Sequence, residues 1–221
     1  MDSTNPTSEV VYDIPGLFKV YKDGRVERYR KHDFAPPSDN PISGVRSKDV
    51  VIVPEDNVIV RLYLPKITQN DEKFPLLVYF HGGGFAIESA FSTYYDSYLH
   101  SLAAETNVLA VFIEYRLAPE YKIPACNSTG ANIAYNMMMR ASADEDKLGV
   151  GERLKLVGMA LIHPYFGGNN KPDPIWSYCC PDPKSDGPRY NPAAHPNLLS
   201  RFVCSKILIC TGGNDIIRDG G

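Results

Sequence analysis

The stretch FPLLVYFHGGGFA, residues 74–86, decides the fold class of this chain. Its first half is a continuous apolar run, which is typical of a strand covered on both faces in a parallel sheet. Three glycines follow at 82–84, and glycine loses more backbone freedom on folding than any other residue. Glycines clustered at the exit of a strand indicate that the backbone itself must stay uncovered there.

A glycine loop of this kind has two common chemical uses. Phosphate binding needs the pattern GxxxxGK[ST] or GxGxxG running into a helix, and neither pattern is present. The other use is to aim backbone N–H groups at the oxygen of a tetrahedral intermediate, where side chains would obstruct the approach. In that interpretation Gly82, Gly83 and Gly84 supply the donors of an oxyanion hole, and His81 supports the loop. A flexible surface loop is the alternative, and the predicted buried strand ahead of the glycines favours the oxyanion hole.

Strands and helices alternate on both sides of this stretch. The predicted elements are a hairpin over 17–29 with a two-residue turn at Asp23-Gly24, a strand pair over 49–65 turning at 54–57, the buried strand 74–80, a helix over 89–107, a strand over 108–116, a helix over 130–145, a buried strand within 154–166 and a buried strand over 206–210. The pattern predicts an α/β fold with a mostly parallel sheet flanked by helices. We expect a single domain over 1–221, with an N-terminal cap segment at 1–16 and a lid-like loop at 167–197 that is rich in Pro, Gly, Asn and Asp.

Composition excludes several classes of function. With 43% hydrophobic residues and a net charge of −3, the chain gives no reason to expect nucleic acid or an anionic membrane as a partner. No apolar run of about 18 residues is present, and the polar N-terminus lacks a secretory signal, so we expect a cytoplasmic protein. Five cysteines are an odd number, which favours reduced thiols, and the adjacent pair Cys179 and Cys180 does not have metal-ligand spacing. No metal is predicted, and the oligomeric state is open.

Ser128 has two open interpretations. The segment CNSTG, residues 126–130, precedes an apolar helix and is similar to the nucleophile elbow GxSxG. Cys126 stands where the first glycine belongs, and Pro124 is incompatible with a central strand just ahead of the serine. The alternative is that Ser128 caps the helix N-terminus.

Asp215 follows the apolar segment KILIC, at the carboxyl end of a predicted strand, where α/β sheets place functional groups. It either orients a catalytic histidine or belongs to an ordinary turn with its Gly and Asn neighbours. The order Ser, Asp, His needs a histidine after Asp215, and the five histidines all precede it: His32, His81, His100, His163 and His195. The identity of a general base is therefore unknown.

Residues 81–120 carry a specific resemblance through HGGGF and YRLAPE, joined by KDGRVER at 22–28, STGANIAYNMMMRA at 128–141 and LIHPYF at 161–166. The chain resembles a plant carboxylesterase of the hormone-sensitive-lipase-like group of α/β hydrolases. The resemblance implies a nucleophile at Ser128, an acid at Asp215 and an oxyanion hole at Gly82, Gly83 and possibly Gly84. It also implies a small-molecule ester substrate and no cofactor.

Three departures from the family accompany this resemblance, and the first is that CNSTG, residues 126–130, stands where the family has GDSAG. The family has several dozen residues between the positions of Ala125 and Ser128, including the strand that presents the serine, and the segment with the catalytic histidine and the last strand and helix has no counterpart here. The expected fold is thus an incomplete α/β hydrolase, internally shortened and truncated at its C-terminus. An inactive relative or a small-molecule receptor is the alternative function. Gly84 argues against receptors with HGGSF, and Gly82 argues against isoflavonoid-type dehydratases with HTGGF.

Overall fold

A computed structural model describes residues 9–121, 129–143, 155–167, 174–179, 187–200, 202 and 204–213. The chain divides into two compact units, Met1–Leu117 and Ala118–Gly221, which are described separately below. Within the described ranges, no helix combines the length and the apolar character needed to cross a bilayer.

The first unit begins with a small antiparallel sheet of three strands. Their order follows the chain, with bounds β1 Val10–Ile14, β2 Phe18–Tyr21 and β3 Val26–Arg28. The sequence predicts a two-residue turn at Asp23-Gly24, whereas the turn in the structure has three residues. The Tyr21 amide donates to the Arg25 carbonyl and the Gly24 amide to the Tyr21 carbonyl, so three residues connect the strands. Gly24 has φ +83°, the left-handed position that such a turn requires and that glycine adopts without strain.

A mixed sheet of four strands forms the centre of the first unit, in the order β4, β5, β7, β6. The strands are β4 Arg46–Val53, β5 Val58–Leu64, β6 Leu76–Phe80 and β7 Leu109–Glu114. A 3₁₀ turn at Pro54–Asp56 closes the β4–β5 hairpin, as the sequence predicts. Strand β7 runs antiparallel to β5 and parallel to β6, with Phe80 opposite Ile113. The carboxyl ends of β6 and β7 therefore lie side by side.

Helix α1, Thr93–Thr106, crosses between β6 and β7. Its N-cap Ser92 accepts a hydrogen bond from the Tyr95 amide. The predicted start at residue 89 is four residues early, because Ser89 and the Ala90 amide donate instead to the Glu114 carboxylate at the end of β7. The core of this unit lies between α1 and the sheet and contains Val45, Tyr63, Ala90, Leu99, Ala103, Ala110 and Phe112.

The second unit contains short elements around one parallel strand pair. The described elements are α2 Thr129–Ala143, β8 Met159–Ile162, α3 Pro174–Cys179, a 3₁₀ turn at Pro192–Ala194, α4 Pro196–Leu199 and β9 Ile207–Cys210. Strand β8 pairs in parallel with β9, and Tyr135 of α2 packs against Leu161 and Phe166 in its core. Part of the stretch 167–197 is thus helical, and its role as a lid stays a prediction.

The expected burial of β6, β8 and β9 on both faces is wrong, and Ile162 of β8 is 52% exposed. Leu76 and Val78 of β6 are each 48% exposed, and three consecutive residues of β9, Ile207, Leu208 and Ile209, are also exposed. In the described part of the chain β6 pairs only with β7, and β8 and β9 pair only with each other. An apolar run signals burial on both faces only when the strand also has neighbours on both edges and layers above and below it.

Candidate functional site

The glycine loop leaves β6 at His81 and turns tightly before helix α1. The Gly83 carbonyl accepts hydrogen bonds from the amides of Ala86, at 3.1 Å, and Ile87, at 3.0 Å. His81 and Phe85 are buried, whereas the three glycines between them are partly exposed. The backbone of the glycines is therefore the accessible part of a loop whose flanking side chains are anchored in the protein.

Glycine is required at two of the three positions. Gly83 has φ +110° and Gly84 has φ +58°, both in the left-handed region. A Cβ on Gly83 would also overlap the Ile87 carbonyl oxygen and approach Cγ of Glu88 to 2.9 Å. Gly82 is different, because the nearest atom to a Cβ there is the Tyr95 hydroxyl oxygen at 3.8 Å, an ordinary contact.

The three glycine amides differ in their hydrogen bonds. The Gly82 amide donates to the Tyr95 hydroxyl at 3.3 Å. Across the residues that the structure describes, the amides of Gly83 and Gly84 have no acceptor. A backbone donor without a partner is costly unless water or a ligand satisfies it. The arrangement therefore leaves two adjacent donors for an external oxygen and commits the third to the protein.

His81 supports the glycine loop as a buried, neutral imidazole. Burial lowers the pKa of His81 to about 4, so the ring is uncharged near neutral pH. Its Nδ1 lies 2.7 Å from the Gly82 carbonyl oxygen, and because a carbonyl only accepts, Nδ1 carries the proton. The other ring nitrogen, Nε2, is buried and has no partner among the described residues. This enclosed ring can brace the loop, but it has no path to a substrate.

Tyr115, two residues beyond the β7 residue that pairs with Phe80, lies next to His81. The two rings stack with their centroids 4.1 Å apart, and the Tyr115 hydroxyl lies 2.9 Å from the His81 carbonyl oxygen. Sequence analysis did not single out this tyrosine. The signal was available, because residues that follow adjacent parallel strands meet at the same edge of the sheet.

A histidine–carboxylate pair borders the same loop. Nδ1 of His32 lies 3.5 Å from the Glu88 carboxylate, and Nε2 of His32 has no partner among the described residues. Glu88 is itself in the left-handed region, with φ +77°, and its Cγ lies beside Gly83. Neither residue was predicted as part of a site.

The predicted nucleophile and acid, and three further histidines, make no common site among the described residues. Ser128 and Asp215 lie outside the described residues. Buried His100 lies 3.7 Å from Asp96, His163 follows β8, and His195 precedes α4. Among the described residues, no three His, Cys, Asp or Glu side chains are grouped as a metal site requires.

Comparisons with known proteins identify the family and fold that this chain resembles. Residues 77–127 match a family described as the alpha/beta hydrolase fold. The chain is 34% identical to 2-hydroxyisoflavanone dehydratase of Glycyrrhiza echinata, covering 99% of this chain and 83% of the relative. It is 34% identical to probable carboxylesterase 1 of Arabidopsis thaliana, covering 97% of this chain and 82% of the relative. The solved structure of carboxyl esterase 2 from Tuber melanosporum matches with a TM-score of 0.57 at 18% identity, over 80% of this chain and 69% of that one, which shows the shared fold.

The same comparisons bear on the length of the chain. The alignment with the Glycyrrhiza protein spans 278 positions, whereas this chain has 221 residues. Several dozen positions of the relative therefore have no counterpart between the first and last matched residues. The predicted internal shortening is confirmed.

Proposed function

The chain belongs to the plant carboxylesterase family of α/β hydrolases, and we propose that it hydrolyses carboxylic esters of small molecules by acyl transfer to a serine. In this proposal Ser128 is the nucleophile, the glycine loop is the oxyanion hole, and Asp215 orients the base. No metal or organic cofactor is needed for this chemistry.

One observation carries the proposal: two adjacent amides, those of Gly83 and Gly84, have no acceptor among the described residues while the loop around them is fixed. Preorganised donors of this kind act where negative charge develops, and removing one typically costs about 2.7–4 kcal/mol of transition-state stabilisation. We assign the oxyanion to Gly83 and Gly84 rather than Gly82, since the Gly82 amide already donates to Tyr95.

The proposed reaction has two acyl-transfer steps. The Ser128 oxygen forms a bond to the acyl carbon as its proton passes to the base, and the carbonyl π electrons move onto the oxygen held by the loop. Collapse of this intermediate breaks the bond to the alcohol, which takes the proton from the base. Water then attacks the acyl-serine by the same route and releases the carboxylic acid.

His32 is the base that we would test first. Its Nδ1 lies 3.5 Å from the Glu88 carboxylate, the side from which a carboxylate can fix the tautomer of a catalytic histidine. Its Nε2 is buried and has no partner among the described residues, so the role as base requires that Nε2 become accessible to the substrate. His81 is excluded by its role under the loop. His100 has a similar carboxylate neighbour, but its side chain is almost completely buried.

Small-molecule binding without turnover is the second candidate. The internal shortening favours it, because several dozen positions of the Glycyrrhiza relative have no counterpart between the first and last matched residues of this chain. A folded protein that binds a short ester or its acid without releasing the alcohol would match this candidate.

Hydrolysis of p-nitrophenyl acetate by the full chain tests the proposal, beside Ser128→Ala and His32→Gln, with circular dichroism to show that each variant is folded. We expect Ser128→Ala to lose the protein-dependent rate, since removing a triad member costs on the order of 10⁴-fold or more in turnover. If folded His32→Gln also loses the protein-dependent rate, His32 is the base, and if it keeps that rate, His32 is not the base. If Ser128→Ala keeps the wild-type rate, the proposed mechanism is wrong, and if the folded wild type gives no turnover, binding is the better candidate.

We also propose a cytoplasmic location. Cys204 and Cys210 are free thiols. Unpaired thiols are typical of compartments that keep cysteine reduced.

A further inference from the structure

Two consecutive residues at the end of β7, Glu114 and Tyr115, contact opposite ends of the glycine loop. We propose that they form a clamp that fixes the direction of the Gly83 amide, and that Tyr115 is a positioning residue of the oxyanion hole that acts through His81. The inference rests on the proposed function and adds residues that act on the loop rather than on the substrate.

The Tyr115 hydroxyl holds the entry of the loop. It lies 2.9 Å from the His81 carbonyl oxygen, 3.2 Å from the Gly82 carbonyl oxygen and 3.1 Å from Nδ1 of His81. A phenol has one proton to donate, and the shortest contact assigns it to the His81 carbonyl. The Gly82 carbonyl then accepts from Nδ1 of His81, whose ring is held by stacking on Tyr115. Two successive carbonyls are thus turned toward the same tyrosine.

Fixing a carbonyl also fixes the next amide. In a trans peptide the C=O and the following N–H point in opposite directions across one rigid plane. Because the Gly82 carbonyl is held toward His81 and Tyr115, the Gly83 N–H must point away from them. The same rule turns the Gly82 N–H away from Tyr115, and that amide is found on the Tyr95 hydroxyl. The peptide between His81 and Gly82 therefore follows the rule: its carbonyl faces Tyr115 and its N–H faces Tyr95.

Glu114 holds the exit of the loop. Its carboxylate accepts hydrogen bonds from the Ser89 hydroxyl, at 3.0 Å to each oxygen, and from the Ala90 amide. The Ser89 hydroxyl oxygen in turn accepts from the Phe91 amide at 3.0 Å. Strand β7, which leads into Glu114 and Tyr115, pairs in parallel with β6, the strand from which the glycine loop starts.

The contacts of Tyr115 differ from those of a packing aromatic. Burial of its hydroxyl raises the pKa of Tyr115 well above its ordinary value, so the group stays a proton donor throughout the neutral range. Tyr79 on β6 is a suitable comparison, because its ring packs on Phe112 and its hydroxyl makes no hydrogen bond to a described residue. Replacing either tyrosine with phenylalanine preserves the ring, but only Tyr115→Phe releases the loop.

The experiment compares Tyr115→Phe with Tyr79→Phe in the full chain. With p-nitrophenyl acetate, we expect Tyr115→Phe to lower kcat roughly tenfold to a hundredfold with KM nearly unchanged, because misdirected donors weaken transition-state binding. Tyr79→Phe keeps the wild-type kcat. Equal kcat values in the two variants would overturn the proposal.

A second readout does not depend on turnover. Protein labelled with ¹⁵N-glycine reports its 17 glycine amides, with Gly82→Ala and Gly83→Ala used to assign the two signals of interest. We expect the amide signals of Gly82 and Gly83 to shift in Tyr115→Phe and to stay in place in Tyr79→Phe. If Tyr115→Phe does not fold, Glu114→Gln tests the clamp from the exit of the loop by the same signals.

The two readouts separate this inference from the proposed function. If the wild type hydrolyses no ester but the glycine signals shift only in Tyr115→Phe, the clamp stands and ester hydrolysis is wrong. If the wild type is active and Tyr115→Phe changes neither kcat nor the glycine signals, the clamp is wrong and ester hydrolysis stands.

Discussion

At the scale of single residues, Gly82 and Gly83 are neighbours with different tolerance for a side chain. We expect Gly83→Ala to lower the free energy of unfolding by about 2 kcal/mol or more, because its Cβ overlaps the Ile87 carbonyl and its φ is +110°. Gly82→Ala has room and serves as the control. Urea unfolding of both variants measures the difference, and equal stabilities would show that the loop is not held as described.

The buried imidazole of His81 makes stability depend on pH. Its pKa falls from an ordinary 6.5 to about 4, so the neutral ring stabilises the folded state fully above pH 6.5. Between pH 6.5 and about 4 the unfolded chain takes up a proton that the folded protein does not. This contribution, about 3 kcal/mol, is therefore lost as the pH falls through that window.

Urea unfolding at pH 7 and pH 4.5 tests this linkage. We expect His81→Gln, which retains an N–H donor for the Gly82 carbonyl, to lose much of the pH dependence seen in the wild type. The matched control is His163→Gln, at an exposed position, which should keep it. An unchanged pH dependence in His81→Gln would mean that the ring is not buried in its neutral form.

At the scale of elements, Arg61 joins two strands and a helix. From β5 it donates to both carboxylate oxygens of Asp49 on β4, at 2.7 and 2.9 Å, and to Asp96 of α1 at 3.1 Å, while its side chain is buried. We expect Arg61→Met to cost about 3–5 kcal/mol of unfolding free energy, because buried Asp96 and partly exposed Asp49 both lose their cationic partner.

The exposed ion pair between Arg116 and Asp56, at 2.9 Å, is the control for Arg61. Surface pairs contribute about 0–1 kcal/mol, so Arg116→Met should leave the denaturation midpoint almost unchanged. Similar losses in the two variants would contradict the distinction drawn here between a buried and a surface pair.

Sequence patterns predicted the type of most described elements because those signals are local. The apolar run before the glycines and the alternation around the β4–β5 turn each lie within one segment. The start of α1 was mispredicted because it depends on Glu114, which is 25 residues from Ser89. The burial of β6 was mispredicted because it depends on how many strands pair with β6. Tyr115 was missed for the same reason: its contacts cross between two strands.

At the scale of the whole chain, apolar surface of the described strands is exposed. Leu208 of β9 is 58% exposed, whereas Leu161 of β8 is 3% exposed and packs in the core. Exposed apolar strands favour association between chains. We expect Leu208→Lys to lower light scattering at high protein concentration without loss of secondary structure, and Leu161→Lys to unfold the second unit. Loss of structure in Leu208→Lys would show that this face is covered.

The family was predicted from HGGGF together with YRLAPE, and this assignment is confirmed by the comparisons. The roles of Ser128 and Asp215 stay predictions, because they depend on residues brought together from distant segments. The proposed choice of amides within the loop rests on one contact that the sequence could not show, the hydrogen bond from the Gly82 N–H to the Tyr95 hydroxyl.

The most direct measurement is the mass of the protein after brief reaction with p-nitrophenyl acetate and an acid quench. We predict one acetyl group on the tryptic peptide 123–140, at Ser128, absent in Ser128→Ala and retained in Gly82→Ala. No acetylation of folded wild type, or acetylation that persists in Ser128→Ala, would contradict a serine nucleophile served by the glycine loop.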